Sequence, residues 1–225
     1  MMSAGLFITL EGVEGSGKTT QAAILADALR ARGFSATVTR EPGGTPVGAA
    51  IRAIFLDATV ALEPAAELLL VLADRAQHVR EKLRPAIATG EIVISDRYCD
   101  STTAYQGYGR GLDLKLLRDL NQLASDGLSP DLTLVLDCPA ELGLERTRAR
   151  QKGGAVAADR FEGERLEFHR RVREGFLAVA REEPARVRLI DATRPVAEVS
   201  AAILGAVTAR LGPPTARQWR AEVAG

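Results

Sequence analysis

Only four of the 29 lysines and arginines in this 225-residue chain are lysines, Lys18, Lys82, Lys115 and Lys152; the others are arginine, the planar fork that suits carboxylates and phosphates. Lys18 belongs to Gly12-Val13-Glu14-Gly15-Ser16-Gly17-Lys18-Thr19, which fits G-x-x-x-x-G-K-[ST] at every fixed position. The glycines let successive backbone N–H groups turn inward on phosphate oxygens, and the helix expected to follow, through Thr20, adds the positive end of its dipole. Lys18 supplies a compact charge for β- and γ-phosphates, and the Thr19 hydroxyl a ligand for Mg²⁺. The segment predicts a site for a nucleoside triphosphate. By itself it does not choose among kinase, GTPase switch, ATPase and transporter component.

Further groups narrow the choice. Asp96 and Arg97 follow the apolar run Ile92 to Ser95; the acid there suits Mg²⁺ held through water and the base suits a second phosphate. Asp137 ends another apolar run and competes for the metal role, with Asp96 preferred for its neighbouring arginine. Arg40-Glu41-Pro42-Gly43-Gly44-Thr45 forms a turn whose glycines let backbone approach a ligand. Arg75 lies on an otherwise apolar helical stretch, Glu67 to His78, where it reads either as a surface charge or as a group reaching a base pocket. Ser101 to Gly111 gathers hydroxyls, an amide and two tyrosines, a composition suited to sugar and base. Arg146, Arg148, Arg150, Lys152 and Arg160 surround a Gly- and Ala-rich stretch, Gln151 to Asp159, that reads as a mobile loop able to fold over a triphosphate and exclude water.

These groups must be held by something, and the pattern says what. Apolar, β-rich runs at Leu6 to Leu10, Ala36 to Thr39, Ile92 to Ser95, Leu132 to Leu136 and Val187 to Ile190 alternate with helical patterns at about 18–31, 46–56, 64–85, 113–125, 139–150, 161–182 and 196–211. Five strands separated by helices predict an α/β fold with a parallel, doubly wound sheet, whose ligands bind at the carboxyl ends of the strands. The phosphate loop, the Arg40 turn and the Asp96-Arg97 pair all fall there. One domain is expected over 1–211, with a lid at about 146–160 and a terminal tail at 212–225. With 46% hydrophobic residues, 26% charged and zero net charge, the chain is neither disordered nor a polymeric nucleic-acid binder. Cys99 and Cys138 show no metal-ligand spacing, and His78 and His169 read as structural. No apolar run reaches the roughly 18–20 residues of a membrane span, and no basic leader precedes Leu6, so a cytoplasmic location is expected.

The ordered set of phosphate loop, Arg-Glu-Pro-Gly-Gly-Thr, Asp-Arg-Ala-Gln-His, Asp-Arg-Tyr with Ala-Tyr-Gln-Gly, and Asp-Arg-Phe-Glu resembles the bacterial thymidylate kinases, P-loop nucleoside monophosphate kinases that transfer the γ-phosphate of ATP to dTMP. The resemblance implies a three-layer P-loop fold, its five-stranded parallel sheet in the order 2-3-1-4-5 with helices on both faces, and a homodimer. It implies that Arg40 and Arg97 hold the dTMP phosphate, with Pro42 beside them. Arg75 would hydrogen-bond the thymine, Glu14 would face the sugar 3′-hydroxyl, and Ser101, Thr102, Tyr105 and Gln106 would line the pocket. One branch of the family carries a catalytic arginine where this chain has Gly15. Here the lid candidates Arg148, Arg150 and Arg160 would act with Lys18 and Arg97, and Arg146 and Thr193 would lie on the ATP side. Val71 departs from the family, which commonly places an aromatic there to stack on the base. Another acceptor (dUMP, UMP or dGMP) is the runner-up. A nucleotide-dependent switch is the rival, although it would have no use for a second arginine-lined phosphate site.

Overall fold

The computed structural model describes residues 5–152 and 160–211. The expected tail at 212–225 and most of the Gly- and Ala-rich stretch therefore lie outside the described residues. Five strands, β1 (Leu6–Glu11), β2 (Ala36–Arg40), β3 (Ile92–Asp96), β4 (Leu132–Asp137) and β5 (Val187–Asp191), form one parallel sheet in the order β2-β3-β1-β4-β5. The central strands β1, β3 and β4 are buried on both faces, which is why they read as continuous apolar runs rather than alternating ones.

Helices α1 (Lys18–Arg30) and α9 (Val196–Leu211) pack together beside the sheet, while α8 (Leu166–Glu182) packs against β4 and β5. Helix α2 (Pro46–Leu56) starts where the Thr45 hydroxyl accepts the Gly48 N–H at 2.9 Å, with Pro46 in the first turn. It packs on α3 (Pro64–His78), which in turn packs on α6 (Leu114–Ala124), itself capped by the Asp113 carboxylate.

Three departures from the periodicity have physical causes. The segment expected as one helix over 64–85 is α-helical only to His78, widens into a π turn at Val79–Leu83, and resumes as α4 (Arg84–Ala88). The widening comes just before Pro85, which cannot fill a regular α-turn because it lacks an N–H. The helix expected from 161 begins at Leu166 instead. Residues 160–165 form a turn closed by Glu164 N–H to Phe161 C=O, which sets Phe161 ahead of α8 with its ring stacked on Phe168 at 6.4 Å. Finally, the Gly-containing segment after Tyr98 is ordered as α5 (Cys99–Thr102) running into a second π turn, Thr103–Gly109, packed closely on α8. Such local widenings recur at functional sites. Helix α7 (Ala140–Lys152) extends two residues past its expected end.

Candidate active site

The sheet register builds the site. Arg40 at the end of β2 lies beside Asp96 at the end of β3, and Asp96 lies beside Leu10 of β1, one residue pair before the phosphate loop begins. At these strand ends opens a cleft of about 490 Å³.

One wall is the phosphate loop. Gly15 takes a left-handed φ of +70° and presses on α7, so that a Cβ built on it would overlap the Gly143 carbonyl. An arginine at this position is incompatible with this backbone. Lys18 is buried, and its Nζ donates to the carbonyls of Gly12 (3.0 Å) and Val13 (2.8 Å) and to Ser16 Oγ (3.3 Å). Burial, then the nearby Arg97 charge, bring its pKa down to about 8. Thr19 Oγ1 donates to Asp96 Oδ2 at 2.6 Å. Asp137, the competing acid, is instead gripped by the Arg173 fork at 2.7 and 2.9 Å and does not line the cleft. Among the described residues no group of three or more His, Cys, Asp or Glu side chains is placed to hold a metal. A hydroxyl and one carboxylate beside a phosphate cradle suit Mg²⁺, which keeps waters and takes its other ligands from phosphate.

The ends of β2 and β3 carry the second set of cations. Arg97 adopts φ 75°, a left-handed conformation that turns its side chain back over the phosphate loop. Its Nη2 donates to Glu14 Oε1 (2.9 Å), its Nη1 to the Gly12 carbonyl and Ser101 Oγ, and its guanidinium stacks 4.8 Å from the Tyr105 ring centre. Arg40 reaches the same cleft with no hydrogen bond or ion pair among the described residues. Glu14 also accepts the Tyr105 hydroxyl at 2.6 Å, and its Oε2 lies 3.4 Å from His169 Nδ1. Burial opposes its charge, but His169, Arg97, Lys18 and Tyr105 outweigh it and hold the carboxyl down at about 2. Glu11, just before the loop, is wholly buried and accepts Tyr98 N–H and Ser101 O–H; burial, reinforced by Asp100, pushes it up to about 8.

Deeper in, Arg75 spans Glu41 (2.9 Å), Thr102 (3.0 Å) and Asn121 (2.5 Å) while still lining the cleft. Of the expected acceptor residues, Glu14, Arg40, Pro42, Val71, Arg75, Arg97, Ser101, Thr102, Tyr105 and Gln106 all meet here. The apolar surface around Val71 is supplied by Phe55, Leu56 and Phe161, with the two phenylalanine rings 5.2 Å apart. Neither phenylalanine was legible as a site residue, since α2 and the expected α8 stripe claimed them for packing. Glu41 was missed too, although it lies inside the turn that marks the site.

The expected catalytic arginines separate. Arg150 lines the cleft from α7, with its Nη2 on Thr147 Oγ1. Arg148 is exposed and lies off the cleft wall. Arg160 is also off the wall: it donates to Glu67 at 2.8 Å and is sandwiched over the rings of Phe55 and Phe161, because a buried carboxylate and two aromatic faces together hold a guanidinium firmly. Arg146 donates to the Ala192 carbonyl beside the Thr193 turn, bringing those two residues together at the rim. His78 bridges Glu41 and Thr39, a structural role.

A phosphate loop on a 2-3-1-4-5 sheet, with Arg40 and Arg97 lining the same cleft, is the arrangement of a P-loop nucleoside monophosphate kinase. The model of the family described as thymidylate kinase matches residues 10–203. The chain is 54% identical over 209 residues to the thymidylate kinase of Geotalea uraniireducens, covering 92% of this chain and 98% of that one. It is 54% identical over 209 residues to the thymidylate kinase of Deinococcus radiodurans, covering 93% and 99%. The crystal structure of thymidylate kinase from Ehrlichia chaffeensis superposes with a TM-score of 0.73 at 33% identity, over 91% of this chain and 99% of that one. The chain belongs to the thymidylate kinase family.

Proposed function

We propose that this protein transfers the γ-phosphoryl group of ATP to dTMP, giving dTDP and ADP. The observation that carries the reading is that one cleft is lined both by Lys18 of the phosphate loop and by Arg40 and Arg97 from the ends of β2 and β3, cations enough for two phosphate groups. The acceptor is a phosphate monoester, already nucleophilic, so the protein's task is alignment and charge neutralisation rather than proton abstraction. Lys18 exchanges its loop carbonyls for β- and γ-phosphate oxygens. Arg40, which has no hydrogen bond or ion pair to give up among the described residues, takes the acceptor phosphate together with Arg97. Arg150 is the α7 arginine placed to neutralise the transferring group, and Arg75, Thr102 and Gln106 meet the base. Glu14, held by Arg97 and Tyr105, faces the sugar. Mg²⁺, when bound beside Thr19 and Asp96, would neutralise the triphosphate.

A coupled ATP assay across dTMP, dUMP, UMP, dGMP and dCMP tests the reading. Preferred turnover of dTMP is expected, a different best acceptor would move the assignment to that nucleotide, and no turnover of any would leave the switch. Val71 makes the panel necessary, because the aromatic surface near the base comes from Phe55 and Phe161 instead.

A homodimer is proposed through α2, α3 and α6, where Val47, Ile54, Leu69, Leu116 and Leu123 stay exposed, Leu123 at 77%. Light scattering on the purified chain tests it, and a monomer mass at micromolar concentration would refute it. No described helix is long and apolar enough to cross a membrane, and a cytoplasmic site of action is proposed.

A further inference from the structure

Glu67 sits in the first turn of α3, on the side of the helix that packs inward, and is completely buried. Its carboxylate gathers donors from three separate places. Oε1 accepts Gln106 Nε2 at 2.6 Å; Arg110 Nε bridges both oxygens at 3.3 and 3.1 Å; Oε2 accepts Arg110 Nη2 at 3.0 Å and Arg160 Nη1 at 2.8 Å. Arg110 is fixed from its other side by Glu164 at 2.6 Å and lies over the Phe168 ring. None of these contacts touches the phosphate-binding residues, and Glu67 does not itself line the cleft, whereas Gln106 does.

The chemistry of a side-chain amide gives this arrangement direction. A carboxylate only accepts hydrogen bonds, so the end of Gln106 that faces Glu67 must be the NH₂ group and cannot be the carbonyl. The Gln106 oxygen is thereby turned elsewhere, and it has no hydrogen-bond partner among the described residues. A free glutamine amide can present either end to a ligand; this one is committed. We propose that Glu67 is a positioning residue for the base of the acceptor: by holding Gln106 through its amide nitrogen, with Arg110 and Arg160 fixing the carboxylate, it makes the cleft present an acceptor oxygen. The ligand edge that matches is one bearing an N–H, as in a thymine or uracil imide. A cytosine, whose ring nitrogen at that edge is itself an acceptor, is opposed. The inference rests on the reading of the cleft as the dTMP site.

The test compares wild type with Glu67→Gln, an isostere whose own amide can turn either end toward Gln106 and so releases the constraint. KM for dTMP, kcat, and the inhibition constant of dCMP against dTMP are measured, with circular dichroism to establish folding. The expected result is a rise of at least fivefold in KM for dTMP, a kcat within threefold of wild type, and a fall of at least tenfold in the ratio of the dCMP inhibition constant to the dTMP KM. Gln106→Ala combined with Glu67→Gln should be no worse for dTMP than Gln106→Ala alone, since one residue acts through the other. If Glu67→Gln does not fold, the double variant Glu67→Gln/Arg110→Met, which removes one of the two cations along with the anion, gives the same readout. An unchanged dCMP to dTMP ratio in a folded variant, or effects of the two residues that multiply, would overturn the proposal. A wild type that phosphorylates no dTMP would overturn the acceptor reading beneath it and is recognised before any variant is made.

Discussion

The Thr19 hydroxyl donates a 2.6 Å hydrogen bond to the Asp96 carboxylate. The pair links the first turn of α1 to the tip of β3, where the proposed function puts Mg²⁺. Asp96→Asn and Thr19→Ala should each raise the Mg²⁺ concentration needed for half-maximal rate and lower kcat, by on the order of 100-fold for the aspartate. Asp137→Asn should leave the metal requirement as it was, because that carboxylate serves Arg173. Magnesium titrations of the three variants decide the matter; a shift only in Asp137→Asn would reverse the assignment.

Gly15 meets the backbone of Gly143, and a side chain at either position would collide with the other segment. Gly15→Ala also forces an L-residue to φ +70°, a strain of about 1–2 kcal/mol before the overlap is counted. A lowered melting temperature and weakened ATP binding are expected together, read by thermal denaturation and nucleotide-analogue fluorescence. An alanine variant with wild-type ATP affinity would mean that the loop and α7 part easily.

Burial holds Lys18 near a pKa of about 8, so around that pH part of the population carries a neutral amine. Triphosphate oxygens would favour the charged form, and nucleotide binding near pH 8 should take up protons. Calorimetry in buffers of different ionisation enthalpy measures this directly, and uptake should vanish in Lys18→Ala. That variant should stay folded and lose transfer, by at least about 100-fold; near-normal turnover would refute the role given to the lysine.

Two buried carboxyls act oppositely on the pH profile of stability. Glu14 is lowered from 4.5 to about 2, so its contribution is present above pH 4.5 and is lost as pH falls toward 2. Glu11 is raised from 4.5 to about 8, so the folded state holds a proton that the unfolded state releases, and stability declines as pH rises from 4.5 through 8. Urea unfolding at pH 5 and pH 8 should show wild type losing stability relative to Glu11→Gln. Parallel behaviour of the two proteins would show that Glu11 does not titrate in that window.

The phosphate loop and the strand ends were readable because each needs particular residue types at particular spacings beside an apolar run, whereas the expected acceptor residues came from the family resemblance. Arg160 was expected among the lid arginines that act on the transferring phosphoryl group. Its actual partner, Glu67, lies 93 positions away, and a glutamate in the first turn of an apolar helix looks the same in sequence whether it is solvated or buried. The π turn carrying Tyr105 and Gln106 was equally hidden. Its glycines suggested looseness, whereas Gly109 in fact makes room for the Phe168 ring and Gly175 of α8 lets that helix approach the Ala104 backbone. Tertiary packing decided both cases, and no local pattern encodes it.

The registers of β2, β3 and β1 make the sheet a ruler. Adjacent strands stand about 4.8 Å apart, so Arg40, Asp96 and the root of the phosphate loop are spaced by main-chain pairing that substitutions of side chains leave untouched. The part of the cleft proposed to meet the base is lined by α3 and the π turn, which carry none of that spacing. Side-chain substitutions can therefore reshape the cleft around Val71 while the spacing of Arg40, Asp96 and the root of the phosphate loop stays as the strand pairing sets it.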